Sequence, residues 1–124
     1  MYEYKVEKIL KVLDGDTIDA VIDLGFGLRA QFRFRLARIN APEMSTPGGA
    51  PARAYSEHWL KSRADRPFIV RTRKHSETTV GVGDGAYGRW LADLISTTPA
   101  GIEESLSDAL LASGHAVRYP PVAS

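Results

Sequence analysis

The sequence predicts an α+β fold that is mainly β: a five-stranded antiparallel barrel of the OB type carrying two to three α-helices. Three observations lead there. The first third alternates apolar and polar residues with period two on both sides of a Gly-containing turn. One amphipathic helical stripe then separates those strands from two more. A second helical segment follows the last of them. A small curled antiparallel sheet must cover its apolar face, and closing into a barrel plugged by helices does so while removing its open edges.

Taken in order, a first strand is expected near Tyr4 to Val12. Ile18, Ala20, Ile22 and Leu24 then share one parity, with Thr17, Asp19 and Asp23 on the other. After Gly25-Phe26-Gly27, Leu28, Ala30, Phe32, Phe34 and Leu36 continue the apolar parity, while Arg29, Gln31, Arg33 and Arg35 take the opposite face. This pattern is an antiparallel hairpin. The alternation breaks at Ala37-Arg38-Ile39, which predicts a bulge or a strand end. Pro42 stops the strand, and Pro47-Gly48-Gly49 is loop. Ala52, Tyr55, Ser56, Trp59 and Leu60 recur at helical spacing, giving a helix from about Pro51 to Ala64 with Tyr55 and Trp59 in the core. Phe68 to Thr72 predicts a buried strand, residues 78 to 88 a Gly-rich connection, and Tyr87 to Ile95 the next strand with Trp90 inward. Glu103 and Glu104 are expected to open a last helix through Leu106, Ala109 and Leu110, ended by Gly114. The tail at Pro120-Pro121 is expected to be loose.

With 124 residues there is room for one domain, residues 1–119, and a short tail, 120–124. Hydrophobic residues at 44% and charged residues at 25% fit a folded chain and argue against disorder. A net charge of +1 gives no global basic field, so any nucleic-acid site must be a local cluster of arginines. The absence of cysteine removes disulfides, thiolate metal sites and cysteine nucleophiles. The N-terminal residues lack the apolar run of a signal peptide, and no stretch reaches the roughly 20 apolar residues of a membrane span. A cytoplasmic monomer without membrane contact is the expectation, acting inside a cell for a phage or its host.

Chemistry concentrates in two short regions. Arg35 to Glu43 supplies a guanidinium, an amide and a carboxylate around a strand end, and Asp14-Gly15-Asp16-Thr17 supplies two carboxylates at the mouth of a turn. Together they suit a hard divalent cation beside a phosphate. Alone, Asp-Gly-Asp-Thr is more often a turn with Asx hydrogen bonds. It is not an EF-hand, because Asp19 stands at the required glycine position and Gly25 at that of the bidentate glutamate. Asp16 also shares the parity of Ile18, so it reaches Arg35 only if the backbone turns at Asp14-Gly15-Asp16. Asp14 and Asp19 are further carboxylates nearby, Asp19 on the polar face of its strand where solvation suffices. Gly81-Val82-Gly83-Asp84-Gly85 lacks the Lys-Ser/Thr of a phosphate loop. His58, His75 and His115 have no metal-ligand spacing.

Asp14-Gly15-Asp16-Thr17, Phe34-Arg35-Leu36 running to Asn40-Ala41-Pro42-Glu43, and Tyr87-Gly88-Arg89, in that order, resemble the staphylococcal-nuclease (thermonuclease-like) family from about Lys5 to Tyr119. The resemblance implies an OB-fold endonuclease that hydrolyses DNA and RNA with calcium, leaving 3′-phosphate ends. It implies metal ligation by Asp16, by Asn40 where the family typically has a second aspartate, and by the Ala41 carbonyl. It implies Glu43 as the general base, Arg35 and Arg89 as phosphate clamps, and Tyr87 and Tyr119 at the substrate. These roles fit the reaction: charge gathering on phosphoryl oxygens is stabilised by guanidiniums and a cation, and a carboxylate within reach deprotonates water. Asn40 keeps an oxygen but removes a unit of negative charge, which lowers metal affinity. The alternative is an OB-fold module that binds single-stranded nucleic acid without cutting it. The presence of Glu43, Arg35 and Arg89 together favours the enzyme.

Overall fold

Leu24 and Leu28 flank a hairpin turn whose three residues, Gly25, Phe26 and Gly27, all have positive φ (85°, 55° and 77°). Two glycines enter that region freely and so carry the phenylalanine with them. In the computed structural model, which describes residues 2–72 and 89–120, the strands joined by this turn are β2 (Thr17–Gly25) and β3 (Leu28–Leu36), paired antiparallel from Thr17↔Arg35 to Gly25↔Leu28. Before them runs β1 (Tyr2–Asp14), longer at both ends than the alternation alone suggests. Three register shifts against β2 let this long strand bend across the sheet. After them come β4 (Ile39–Asn40), α1 (Gly49–Lys61), β5 (Phe68–Thr72), β6 (Arg89–Thr97), β7 (Glu103–Ser105), α2 (Leu106–Ser113) and β8 (Val117–Arg118).

The order β3-β2-β1-β5-β6 closes on itself, because β6 also pairs in parallel with the end of β3, Arg33↔Arg89 to Leu36↔Ala92. The result is a five-stranded closed barrel with two helices among the described residues, an α+β architecture of the OB type. The parallel β3–β6 seam makes the barrel mixed rather than wholly antiparallel. Ile18, Ala20 and Ile22 of β2, Phe34 and Leu36 of β3, Val70 of β5, and Ala92 and Leu94 of β6 are buried in its core. Ala52, Trp59 and Leu60 from α1, with Leu106 and Leu110 from α2, join that core. Each large side chain buried in this way contributes about 1.5–3 kcal/mol.

Several expectations need correction. Helix α1 begins two residues before Pro51, which sits in the first turn where its missing N–H costs nothing, and it ends at Lys61 rather than Ala64. Glu103 and Glu104 do not open a helix. They form β7 against the end of β6, where their carboxylates meet Arg71, Arg63 and Arg66. The helix starts at Leu106 behind Ser105, whose hydroxyl accepts the Asp108 N–H at 3.3 Å. Gly114 ends it in the left-handed region, φ 80°. Strand β6 starts at Arg89, and Trp90 is 39% exposed near that end instead of buried. The Gly-rich connection, including Tyr87 and Gly81–Gly85, and the residues from 121 onward lie outside the described residues.

Candidate active site at the mouth of the β2–β3 hairpin

Asp14, Gly15 and Asp16 turn the chain from β1 into β2, and the Asp16 N–H donates to the Asp14 carboxylate at 3.1 Å. The Asx-turn reading of this tetrapeptide is therefore correct, and it also aims Asp16 inward. Helix α1 holds the turn from beneath. The Ser56 hydroxyl donates to the Gly15 carbonyl at 2.7 Å, and a Cβ on Gly15 would stand 2.8 Å from that of Ala52 and 3.0 Å from that of Ala41. Only glycine permits this approach. Asp16 is consequently buried, 6% exposed, although it carries a carboxylate.

Around Asp16 the structure brings together four of the residues singled out from sequence. Its Oδ2 accepts the Ala41 N–H at 2.9 Å and lies 3.9 Å from Nη2 of Arg35. The same Nη2 donates to the Ile39 carbonyl at 3.2 Å and to Oδ1 of Asn40 at 3.1 Å. Among the described residues, Nε and Nη1 of Arg35 make no hydrogen bond. The ring of Tyr119 stacks on the guanidinium, 5.1 Å from Cζ to its centroid, and is itself half exposed. Among the described residues, Arg35 thus presents a donor edge without a partner beside a covered face.

Burial is the largest influence on Asp16. Together with the neighbouring Asp14 carboxylate it pushes the carboxyl up to about 6, and the Ala41 N–H and Arg35 only partly oppose this. Such a carboxylate is short of positive charge. The oxygens of Asp16, Asp14 and Asn40 have the hard chemistry that calcium takes, and a cation here would supply the missing charge. Among the described residues no three His, Cys, Asp or Glu gather around one point, so water and a phosphate oxygen would complete a coordination shell. The contact seen from Ala41 is through its N–H, as a donor to Asp16, and Asn40 offers its amide oxygen to Arg35 as well.

Glu43 is exposed and makes no side-chain hydrogen bond or ion pair among the described residues. Its backbone is fixed: the carbonyl accepts the Thr46 N–H at 2.9 Å and the Thr46 hydroxyl at 2.6 Å. A Cβ on Gly49 would fall 2.2 Å from that carbonyl, so the start of α1 is pressed against the Glu43 peptide. Arg89 opens β6 in register with Arg33, and its side chain lies outside the described part. Arg33 itself is occupied elsewhere: Nε and Nη2 grip both oxygens of Asp19 at 2.7 and 3.0 Å. Asp19, expected to be solvated, is 7% exposed.

Sequence reasoning missed the supporting parts. The Ile39 carbonyl and the Gly15–Ala52–Ser56 contact are set by backbone path, and the only trace of the latter is three small residues. Among the described residues no helix is long and apolar enough to cross a membrane. No protein-family model matches the chain, and no curated protein matches it either.

Proposed function

We propose that this chain is a calcium-dependent nuclease that hydrolyses phosphodiester bonds of DNA, RNA or both with little sequence preference. The observation that carries the reading is the pairing of a buried, charge-deficient carboxylate, Asp16, with a guanidinium, Arg35, that does not close on it. A guanidinium edge left open in this way suits two phosphate oxygens at once. The resemblance to the staphylococcal-nuclease family supplies the reaction, and the geometry is compatible with it.

In this reading Arg35 holds the scissile phosphate through Nε and Nη1, and Arg89, on the strand parallel to β3, is the second clamp. Tyr119 lies against the strand held by Arg35, with Tyr87 on the same substrate. Glu43 accepts the proton of the attacking water, an assignment that suits its exposed carboxylate. The P–O5′ bond then breaks and the 5′ oxygen takes up a proton, leaving a 3′-phosphate. Calcium held by Asp16 and Asn40 would stabilise charge on the phosphoryl oxygens. Preorganised donors of this kind supply most of the stabilisation in such reactions.

A second reading is a module of the same fold that binds nucleic acid and cuts slowly or not at all. One observation favours it: Asn40 is an amide, and its oxygen already accepts from Arg35. The two separate on incubation of the protein with plasmid and single-stranded DNA, in millimolar calcium and then in chelator. The nuclease reading expects cleavage that stops with the chelator. Binding without cleavage in calcium would establish the module instead.

A further inference from the structure

Arg38 occupies the turn between β3 and β4 with φ 71°, in the left-handed region that a side chain enters only at a cost. Its guanidinium reaches across the molecule. Nη2 donates to Oδ1 of Asp93 at 2.9 Å and to the Ser105 hydroxyl at 3.3 Å, Nε to Oδ2 of Asp93 at 3.3 Å, and Nη1 to Asp108 at 2.9 Å. One side chain thereby joins the turn to β6, to the end of β7 and to the first turn of α2.

The peptide groups around it are tied to the same elements. The Ala37 N–H donates to the Ala92 carbonyl at 2.8 Å, and the Ala37 carbonyl accepts the Ser107 hydroxyl at 2.9 Å. The Arg38 carbonyl accepts the Tyr119 N–H at 2.9 Å. The next residues are Ile39, whose carbonyl meets Arg35, then Asn40, then Ala41, whose N–H meets Asp16. The short β4–β8 pair, Ile39↔Arg118 and Asn40↔Val117, follows the same turn.

From these contacts we infer that Arg38 is a positioning residue: it fixes the turn from which Asn40 and Ala41 hang and against which Tyr119 is held, and so sets Asp16 and Arg35 in their relative places. Arg38 touches neither Asp16 nor Arg35 and acts through backbone. Its catalytic consequence rests on the nuclease reading, but the positioning itself does not.

Amide hydrogen exchange on the whole chain tests it. Arg38→Gly keeps the left-handed backbone and removes the anchor. The Ala41 and Tyr119 amides should lose protection by about tenfold or more, while amides of β2 and β5 keep theirs, since local opening is separable from global unfolding. Asp93→Asn, which leaves Arg38 in place, should reproduce the change in weaker form, and Arg38→Lys should restore part of it. Wild-type protection of Ala41 and Tyr119 in both Arg38→Gly and Asp93→Asn would overturn the inference, as would an equal loss across β2 and β5. If the wild-type protein cleaves DNA, Arg38→Gly should lower kcat roughly tenfold with KM within about twofold, the signature of a lost transition-state arrangement. A wild-type protein that does not cleave would sink the nuclease reading and leave the exchange result standing.

Discussion

Arg33 and Arg35 leave the same face of β3 two residues apart, and each meets an aspartate at or near the start of β2. Their pairings differ. Arg33 meets Asp19 fork to fork, with both donor groups and both oxygens used. Arg35 approaches Asp16 only to 3.9 Å, spends one nitrogen on Ile39 and Asn40, and has no hydrogen bond from Nε or Nη1 among the described residues. The partner carboxylates are similarly buried, so burial does not separate the two pairs. Saturation does. A bidentate pair is a cross-strand element of the barrel wall, whereas a buried carboxylate bonded to the Ala41 N–H and the Thr17 hydroxyl, but held 3.9 Å from its guanidinium, leaves that charge pairing incomplete and able to take a further charged group.

The largest effects should fall on the open pair. Arg35→Lys conserves charge but loses the fork, and should reduce phosphodiester cleavage about a hundredfold or more. Arg33→Lys should stay within a few-fold of wild type in the same assay. Glu43→Gln should also cut the rate about a hundredfold or more, the scale of a lost general base, with the melting temperature unchanged because the side chain is exposed.

Stability should move the opposite way. The folded state raises the Asp16 carboxyl from 3.8 to about 6, so it holds a proton more tightly than the unfolded chain does. For this group, stability is fullest below about pH 4, falls as pH rises towards about 6, and stays reduced above that. Asp16→Asn should therefore stabilise the calcium-free protein at pH 7–8 by roughly 2–3 kcal/mol and leave it unchanged near pH 3.5, as read by denaturant unfolding. Arg33→Ala should instead destabilise by about 1–3 kcal/mol at neutral pH, since it strands the buried Asp19 while Arg33 itself is partly exposed. The smallest change expected is in the ligand set. Asn40→Asp should tighten calcium binding in calorimetry, and an unchanged affinity would remove Asn40 from the ligands.

How far the sequence discloses this comparison depends on the residue. Period-two alternation placed Asp19, Arg33 and Arg35 on one face and gave the hairpin bounds closely, because a half-buried strand writes its pattern in every second residue. It could not tell Arg33 from Arg35, since that difference lies in whether the partner aspartate sits two residues inside the strand, as Asp19 does, or just before it, on the Asp14–Asp16 turn. The expectation for Asp19 failed for a related reason: a buried acid paired across strands has the same sequence pattern as a solvated one. A helix start at Glu103 and Glu104 is the natural expectation because acids favour that position, yet here Glu103 meets Arg71 of β5, Glu104 meets Arg63 and Arg66 in the turn after α1, and Ser105 is the cap. The break in alternation at Ala37-Arg38-Ile39 marks the turn that Arg38 occupies, but not its anchoring role, because its partners Asp93 and Asp108 lie 55 and 70 residues away where no local pattern connects them.

The claim that one arginine–aspartate pair is open and its neighbour closed is tested most directly by comparing the wild-type protein, Arg35→Lys and Arg33→Lys side by side. Each would be assayed on single-stranded DNA in millimolar calcium at equal folded concentration. Cleavage by wild type and Arg33→Lys, with Arg35→Lys lower by about a hundredfold, is the expected result. Equal loss in the two variants, or no cleavage by the wild-type protein while DNA remains bound, would contradict it.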